Sequence, residues 1–307
     1  MSRVRTQSLL GALLVVIYTG LIASADGITK VLAGGYGPVQ IYALSGAVVV
    51  LLCRLADRLP GQRRGFATSC PRATALRSLA TVIAAICFFQ AFRLLPFAEV
   101  FVFIGLMPLL AGAMSGALLN EPVRPAAWLA LLAGFAGMLF LFPRGLATVS
   151  VGHLLALMAA VAGTFSMTMA RYIGRYEAKP LVQVFYPNLC LCLLMLLLVP
   201  FAWQPMSAGD VGWVLAYALL LFAARWLLVV ALRLLASYAV TPLMNLQFIW
   251  MAVIGALGFG EYPPLTTYVG GLVVVGSGLY LVWDQFAPRG PQTAAQPTRP
   301  ARLRTDP

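Results

Sequence analysis

The chain has 307 residues, of which 61% are hydrophobic and 10% are charged, and its formal net charge is +12. Soluble domains are about 45–50% apolar and about 25% charged, and a soluble fold of this size cannot hide so much apolar surface from water. The composition therefore excludes a soluble enzyme, a disordered protein and a collagen-like fibre, and it indicates a protein embedded in a lipid bilayer.

Ten apolar stretches follow one another along the chain, and each is long enough to cross a hydrocarbon core of about 30 Å. We expect helices, because the stretches are too long for barrel strands and show no alternation of polar and apolar residues. We interpret the first stretch as an uncleaved membrane helix, although Ala23-Ser24-Ala25 imitates a signal-peptidase site. The predicted spans lie at about 8–32, 38–57, 74–94, 97–119, 125–142, 151–172, 181–202, 211–234, 238–259 and 265–284.

The basic residues predict how the chain is oriented in the membrane. With the N-terminus in the cytoplasm, 17 of the 21 Lys and Arg residues, Arg77 among them, belong to the inner side. Lys30, Arg93 and Arg144 belong to the outer side, and Arg225 lies within the membrane. This bias follows the positive-inside rule and predicts a multi-pass protein of the cytoplasmic (inner) membrane with both termini cytoplasmic. The positive charge then faces the lipid surface, so no nucleic-acid partner is expected.

An internal repeat with an offset of 140 residues divides the chain into halves. The sequence AFRLL at 91–95 recurs as ALRLL at 231–235, and Glu121 recurs as Glu261. Five helices per half is an odd number, so the two halves are expected to insert with opposite orientation, as in secondary transporters with inverted repeats. The predicted units are a first five-helix repeat at 1–145, a second at 146–286 and a disordered cytoplasmic tail at 287–307.

These repeated motifs carry a resemblance to a known family. The stretches FFQAFRLLP at 88–96 and LLNEP at 118–122, with VALR at 230–233 and GFGE at 258–261, resemble the drug/metabolite transporter superfamily in its EamA-type ten-helix branch. The resemblance implies export or uptake of small metabolites through a cavity lined by the first to fourth and the sixth to ninth spans. Relatives handle amino acids, nucleotide-like compounds, riboflavin and opine-type metallophores, and the whole chain has a faint likeness to the metallophore exporters.

Arg225 is the first candidate for substrate binding, because ionisable residues inside membrane spans are costly and usually functional. Its counterpart in the repeat, Ala85, is neutral, so the shared scaffold does not require an arginine there. A guanidinium suits bidentate recognition of a carboxylate. The alternative is a structural pair with a group on another helix.

Polar and aromatic residues in the spans supply further candidates. Thr241 and Asn245 are four residues apart and share a helix face, with Gln247 and Trp250 beside them. The alternative for this stripe is hydrogen bonding between helices. The predicted substrate-binding set is Arg225, Trp226, Asn245, Gln247, Trp250, Gln90, Tyr186 and Asn188.

Four titratable residues are candidates for energy coupling. Asp26 and Lys30, four apart in the first span, form either a coupling site or a neutral pair. Glu99 and His153 lie at helix starts, where a solvated or interfacial role is the alternative.

Two prolines within spans, Pro108 and Pro242, interrupt helical hydrogen bonding. They act either as hinges or as fixed bends that fit the helices together.

The sequence as a whole predicts a secondary transporter that exports a small zwitterionic, amino-acid-like metabolite, with an opine-type metallophore as one candidate. Uptake of riboflavin or an adenosyl compound is the alternative, and a membrane scaffold or membrane enzyme is a remote one. The chain has no Walker A motif, no G-x-S-x-G motif and no His-rich metal motif. We therefore expect no enzyme activity, cofactor or metal; the expected partners are a small-molecule substrate and the lipid bilayer, and the oligomeric state is open.

Overall fold

The computed structural model of the chain describes residues 2–59, 65–95, 97–119, 150–177, 179–235 and 246–260, together with isolated positions between and after these ranges. Every regular element within these ranges is an α-helix. The helices are α1 (Ser2–Ala33), α2 (Pro38–Asp57), α3 (Pro71–Leu94), α4 (Phe97–Leu119), α5 (Val151–Tyr176), α6 (Pro180–Ala202), α7 (Ala208–Leu234) and α8 (Gln247–Phe259).

Six of these helices, α1 to α3 and α5 to α7, are long and apolar enough to cross a membrane. They match six of the predicted spans to within a few residues, which confirms an all-helical architecture suited to a multi-pass membrane protein. Helix α4 matches the predicted span 97–119, and α8 matches the second half of 238–259. The spans 125–142 and 265–284 and the tail 287–307 lie almost entirely outside the described residues, so the number of ten spans stays a prediction.

Local sequence explains where several helices begin. Pro38, Pro71 and Pro180 open α2, α3 and α6, positions where the missing N–H is harmless and the fixed φ favours the first turn. Ser207 precedes α7, and its Oγ accepts a hydrogen bond from the backbone N–H of Asp210 at 3.1 Å. Helix α2 begins where its predicted span begins, and α3, α6 and α7 begin one to three residues before theirs.

The helices of the two sequence halves are interleaved. Helix α3 packs along α5, α1 along α7 and α2 along α6. Glycines permit the close approach, because a Cβ at each would meet a side chain of the opposite half. Such a Cβ would lie 2.8 Å from Leu235 Cγ at Gly11, 2.8 Å from Leu95 Cγ at Gly152 and 2.9 Å from Cys192 Cβ at Gly46.

Large apolar side chains also cover the outside of the helix bundle. Leu197, Phe201 and Leu257 are 71%, 88% and 86% exposed. A surface with this many exposed apolar residues is unfavourable in water and favourable against lipid chains. The outward faces therefore agree with the composition in indicating a bilayer environment.

The α1–α2 and α6–α7 connections lie together at one end of the bundle, which we name the Tyr36 end. The Tyr36 hydroxyl donates to Asp210 Oδ2 at 2.7 Å, and Gln40 exchanges two hydrogen bonds with the backbone of Gln204. The bond to the carboxylate raises the pKa of Tyr36 above its ordinary value, because it stabilises the protonated hydroxyl. These contacts tie the two halves together at this end.

The α2–α3 and α5–α6 connections lie together at the opposite end of the bundle, which we name the Glu177 end. Glu177 Oε2 accepts the backbone N–H of Ser69 at 2.9 Å, and the carbonyl of Glu177 accepts Arg233 Nη2 at 2.9 Å. Arg175 Nη1 donates to the carbonyl of Leu119, the last residue of α4, at 3.0 Å. Basic side chains thus satisfy the carbonyl ends of helices here, and the orientation predicted from the sequence makes this the cytoplasmic end.

Candidate functional site

A cavity of about 220 Å³ lies between the two halves, within the apolar bundle. Helices α3 and α7 both line the cavity. Five lining residues of α3 are related to five of α7 by the repeat offset of 140 residues, so equivalent faces of the two helices point toward the cavity. On α3 these are Arg77, Thr81, Ala85, Phe88 and Phe92, and on α7 they are Tyr217, Leu221, Arg225, Leu228 and Leu232. Two of these pairs, Thr81 with Leu221 and Ala85 with Arg225, join a polar residue of one helix to an apolar residue of the other, and Arg77 corresponds to Tyr217.

Arg225 lies within the membrane span of α7 and lines the cavity, as the first candidate should. Its Nη1 donates to Asn188 Oδ1 at 2.9 Å. Asn188 is fully buried in α6, and its own Nδ2 donates to the carbonyl of Val184 at 2.7 Å. The asparagine is therefore held in one orientation and positions the guanidinium, although it does not itself line the cavity.

Asp26 and Gln247 join α1 to the first turn of α8. Gln247 Nε2 donates to Asp26 Oδ2 at 2.7 Å, and both residues line the cavity. Gln247 is 3% exposed. A carboxylate and an arginine thus share one cavity, an arrangement able to receive the ammonium and the carboxylate of an amino acid.

Three tyrosines that the sequence analysis did not single out complete this region. Tyr18, Tyr42 and Tyr217 line the cavity and are 6%, 5% and 6% exposed. The Tyr42 hydroxyl donates to the carbonyl of Ala85 at 3.0 Å. Hydroxyl groups beside Asp26 and Arg225 offer further hydrogen bonds to a polar ligand.

Arg77 was counted among the basic residues of the inner side, and the structure adds that its side chain is buried. It lies in α3, is 8% exposed and lines the cavity. Its Nη1 donates to the carbonyl of Gln183 in the first turn of α6. The face of α3 on which Arg77 lies packs against α5 and α6, so the side chain is enclosed although it is near the helix end.

Both tryptophans proposed for substrate binding lie away from the residues that line the cavity. Trp226 packs edge to face on Phe222, with ring centroids 5.6 Å apart. Trp250 is 43% exposed and lies against Gly20 of α1. Trp226 directly follows Arg225, and adjacent residues on a helix point about 100° apart, so the two cannot share one face.

Tyr186 and Gln90 also fall outside the cavity lining. The Tyr186 hydroxyl donates to the carbonyl of Phe66 at 2.9 Å, in the α2–α3 connection. Gln90 Oε1 is buried without a partner among the described residues. Tyr186 therefore holds a connection in place.

The remaining candidates either make contacts outside the cavity lining or lie outside the described residues. The Lys30 ammonium lies 4.7 Å from the centroid of the Phe259 ring, outside the cavity lining. His153 forms a capping box with Ser150 at the start of α5. The side chains of Glu99 and Pro108, and the residues Asn245 and Pro242, lie outside the described residues.

Several cavity residues were missed because nothing in the linear sequence distinguishes their helix faces. The repeat offset applied to the Arg225 face of α7 could have found two of them, because Tyr217 and Leu221 correspond to Arg77 and Thr81. The residues missed are Tyr18, Thr29, Tyr42, Arg77, Thr81, Ser166 and Tyr217.

Comparison with known proteins identifies the fold without an activity. No model of a known protein family matches the chain, and no curated protein matches its sequence. One solved crystal structure of a protein superposes with a TM-score of 0.71 at 19% sequence identity, over 92% of this chain and 98% of that chain. At this identity the likeness establishes a shared fold alone.

Proposed function

We propose that the chain is a secondary transporter that exports a small zwitterionic, amino-acid-like metabolite across the inner membrane by alternating access. The observation that carries the proposal is the cavity between the two halves, which presents Arg225 and Asp26 inside an apolar helical bundle. Opposite charges inside a membrane protein mark substrate or ion pathways far more often than they stabilise the fold.

The architecture that we propose is EamA-type, with ten spans in two inverted five-helix repeats at 1–145 and 146–286 and both termini in the cytoplasm. Two helix contacts between the halves support it. Helix α1 packs along α7, and α5 packs along α3; the repeat offset relates α1 to α5 and α3 to α7, so the two contacts are equivalent. Residues Leu95 and Leu235, which end α3 and α7, also share φ/ψ values of −123°/152° and −124°/150°. Rocking of one half against the other would expose the cavity to each side in turn.

The size and charge of the cavity support a small zwitterion as the substrate. Its volume of about 220 Å³ is below the roughly 300–1,000 Å³ of sites for drug-sized ligands. Arg225 would hold the carboxylate in a bidentate geometry, and Asp26 would face the ammonium. Among the coupling candidates whose side chains the structure describes, Asp26 is the one that lines the cavity, where its charge can respond to the substrate and to protons.

Uptake of a flat aromatic compound is the second candidate. Phe88 and Phe92 line the cavity and stack with their ring centroids 6.0 Å apart and an interplanar angle of 23°. Such a surface suits an aromatic ligand. The cavity volume argues against a compound as large as riboflavin, and Trp226 and Trp250 of the predicted substrate-binding set are not among the residues that line the cavity.

Paired metabolite profiles of cells and medium, with and without the gene, test the proposal. An exported compound accumulates inside cells that lack the gene and disappears from their medium. A compound left unused in the medium would instead favour the uptake candidate. Unchanged profiles under every growth condition would contradict the transporter proposal.

Replacing Arg225 by alanine tests the site itself. We expect export of the identified compound to fall roughly tenfold or more, since a charged hydrogen-bonded contact contributes about 1.5–3 kcal/mol. Arg72→Ala is the matched control, because Arg72 is an exposed arginine outside the cavity lining. Equal export by Arg225→Ala and Arg72→Ala, at equal amounts of protein in the membrane, would reject the role of Arg225.

A further inference from the structure

We propose that Arg77, Thr81, Ser166 and Gln183 form a second anion subsite, so that the cargo is an amino-acid-like metabolite with an additional acidic group. This inference rests on the proposed function and names its substrate class. The four residues line the part of the cavity toward the Glu177 end, on α3, α5 and α6. None of them belongs to the substrate-binding set predicted from the sequence.

The Arg77 guanidinium is only partly satisfied by the protein. Nη1 donates to the carbonyl of Gln183, while Nε is buried without a partner among the described residues. Arginine presents its donors in a planar fork that matches a carboxylate or a phosphate. A ligand oxygen would complete this fork.

The Gln183 side chain supplies the second, independent observation. It is 1% exposed, and neither its Nε2 nor its Oε1 has a hydrogen-bond partner among the described residues. A buried amide without partners is unfavourable, and native proteins retain one where a ligand or water satisfies it. Its Nε2 can donate to the same acidic group that Arg77 holds.

Two hydroxyl groups complete the subsite. Thr81 Oγ1 and Ser166 Oγ lie 2.7 Å apart, and both bond the carbonyl of Arg77, at 2.9 and 3.4 Å. The longer of these bonds is the weaker one. Either hydroxyl can be the donor in the 2.7 Å contact, so when Thr81 Oγ1 donates to Ser166 Oγ, the Ser166 hydrogen is available for a ligand oxygen.

The described residues that line the cavity carry one more positive than negative charge, which a second anionic group on the ligand would balance. Among the described residues that line it, the charged side chains are Arg77, Arg225 and Asp26. The two arginines thus share the cavity with one carboxylate among its described lining residues, and an unbalanced arginine within a membrane is costly. A zwitterion satisfies Arg225 and Asp26, and an extra carboxylate or phosphate on the same molecule neutralises Arg77.

Thermal unfolding of the purified full chain in detergent, at constant ionic strength, provides the test. The probes are L-glutamate and O-phospho-L-serine, which separate carboxylate from phosphate, with L-glutamine and L-serine as neutral matches. We expect an acidic probe to bind the wild type and Arg72→Gln at least tenfold more tightly than its neutral match. Arg77→Gln should lose this preference while still binding the neutral probe, and Arg77→Lys should retain part of it.

Gln183→Leu keeps the test decisive if Arg77→Gln fails to fold. Removing the unpartnered amide should raise the unfolding temperature of the ligand-free protein and yet reduce the acidic preference several-fold. A purely structural role for Gln183 predicts no change in preference.

Equal binding of acidic and neutral probes by the wild type overturns the inference and leaves the zwitterion exporter standing. Failure of all four probes to bind overturns the inferred substrate class, and only unchanged metabolite profiles would remove the transporter proposal.

Discussion

At the scale of single residues, Asn188 fixes the orientation of the Arg225 guanidinium. The asparagine accepts from the guanidinium at 2.9 Å and is itself fixed by the carbonyl of Val184. An arginine has several flexible torsions, so a fixed acceptor reduces the number of orientations available to it. Asn188 is therefore a positioning residue, and its importance comes from the geometry it imposes on Arg225.

Asn188→Ala should weaken substrate binding while leaving a functional carrier. Loss of a hydrogen bond to a charged group costs about 1.5 kcal/mol or more, so we expect the concentration for half-maximal export to rise about tenfold. The maximal rate should change less, because Arg225 is still present. Concentration-dependent export from cells or proteoliposomes measures both quantities.

Ser24→Ala is the control for this variant, because Ser24 is exposed and its hydroxyl donates to the carbonyl of Gly20 in its own helix, at 2.9 Å. It should transport like the wild type. A half-maximal concentration that is the same for Asn188→Ala and Ser24→Ala would show that Asn188 does not position Arg225.

At the scale of helices, α2 and α6 meet at very short distance around Gly46. A Cβ at this position would lie 2.9 Å from Cys192 Cβ and 3.2 Å from the carbonyl oxygen of Asn188. Part of the obstacle is backbone, which cannot move aside as the tip of a side chain can. Helix association in membranes depends on such close packing of small residues.

Gly46→Ala should destabilise the protein by separating α2 from α6. Overpacking of a tight contact costs about 1–3 kcal/mol, so we expect a clearly lower temperature of thermal unfolding in detergent. Gly212→Ala on α7 is the matched control, because a Cβ there would have no atom within 4 Å. This control should be neutral or slightly stabilising. Identical unfolding temperatures for the two variants would contradict the close packing of α2 and α6.

At the scale of the whole molecule, charge distribution determines orientation. The Glu177 end collects Arg175, Arg233 and the basic α2–α3 connection, whereas the α1–α2 connection at the Tyr36 end carries no Lys or Arg. Positively charged connections stay in the cytoplasm during insertion. The Glu177 end should therefore face the cytoplasm and the Tyr36 end the opposite side.

Reporter fusions test this orientation directly. Alkaline phosphatase, which is active only outside the cytoplasm, should be active when fused after Gly35 and inactive when fused after Gly65. Green fluorescent protein, which fluoresces only in the cytoplasm, should fluoresce at the C-terminus, as an even number of spans requires. A phosphatase active after Gly65 or a dark C-terminal fusion would contradict the predicted topology.

The sequence by itself determined the class of the protein and its spanning helices. A helix that crosses a bilayer must satisfy its own backbone and present about 20 apolar residues, and both requirements are local. For this reason the apolar stretches predicted six helices to within a few residues. The cost of charge in a membrane made Arg225 and Asp26 candidates, and both line the cavity; their roles stay predictions. The ten-span count and the inverted repeat stay predictions.

Only the tertiary structure decided which polar side chains share the cavity. Arg72 and Arg77 lie on the same helix, yet one is exposed and the other is buried at the cavity. Trp226 adjoins Arg225 in sequence but faces Phe222. In a span that is apolar on every side, the sequence contains no signal for which face meets the partner helices. That choice is made by packing between halves that are 140 residues apart, which is why Arg77 and Gln183 became visible as a site only in the folded chain.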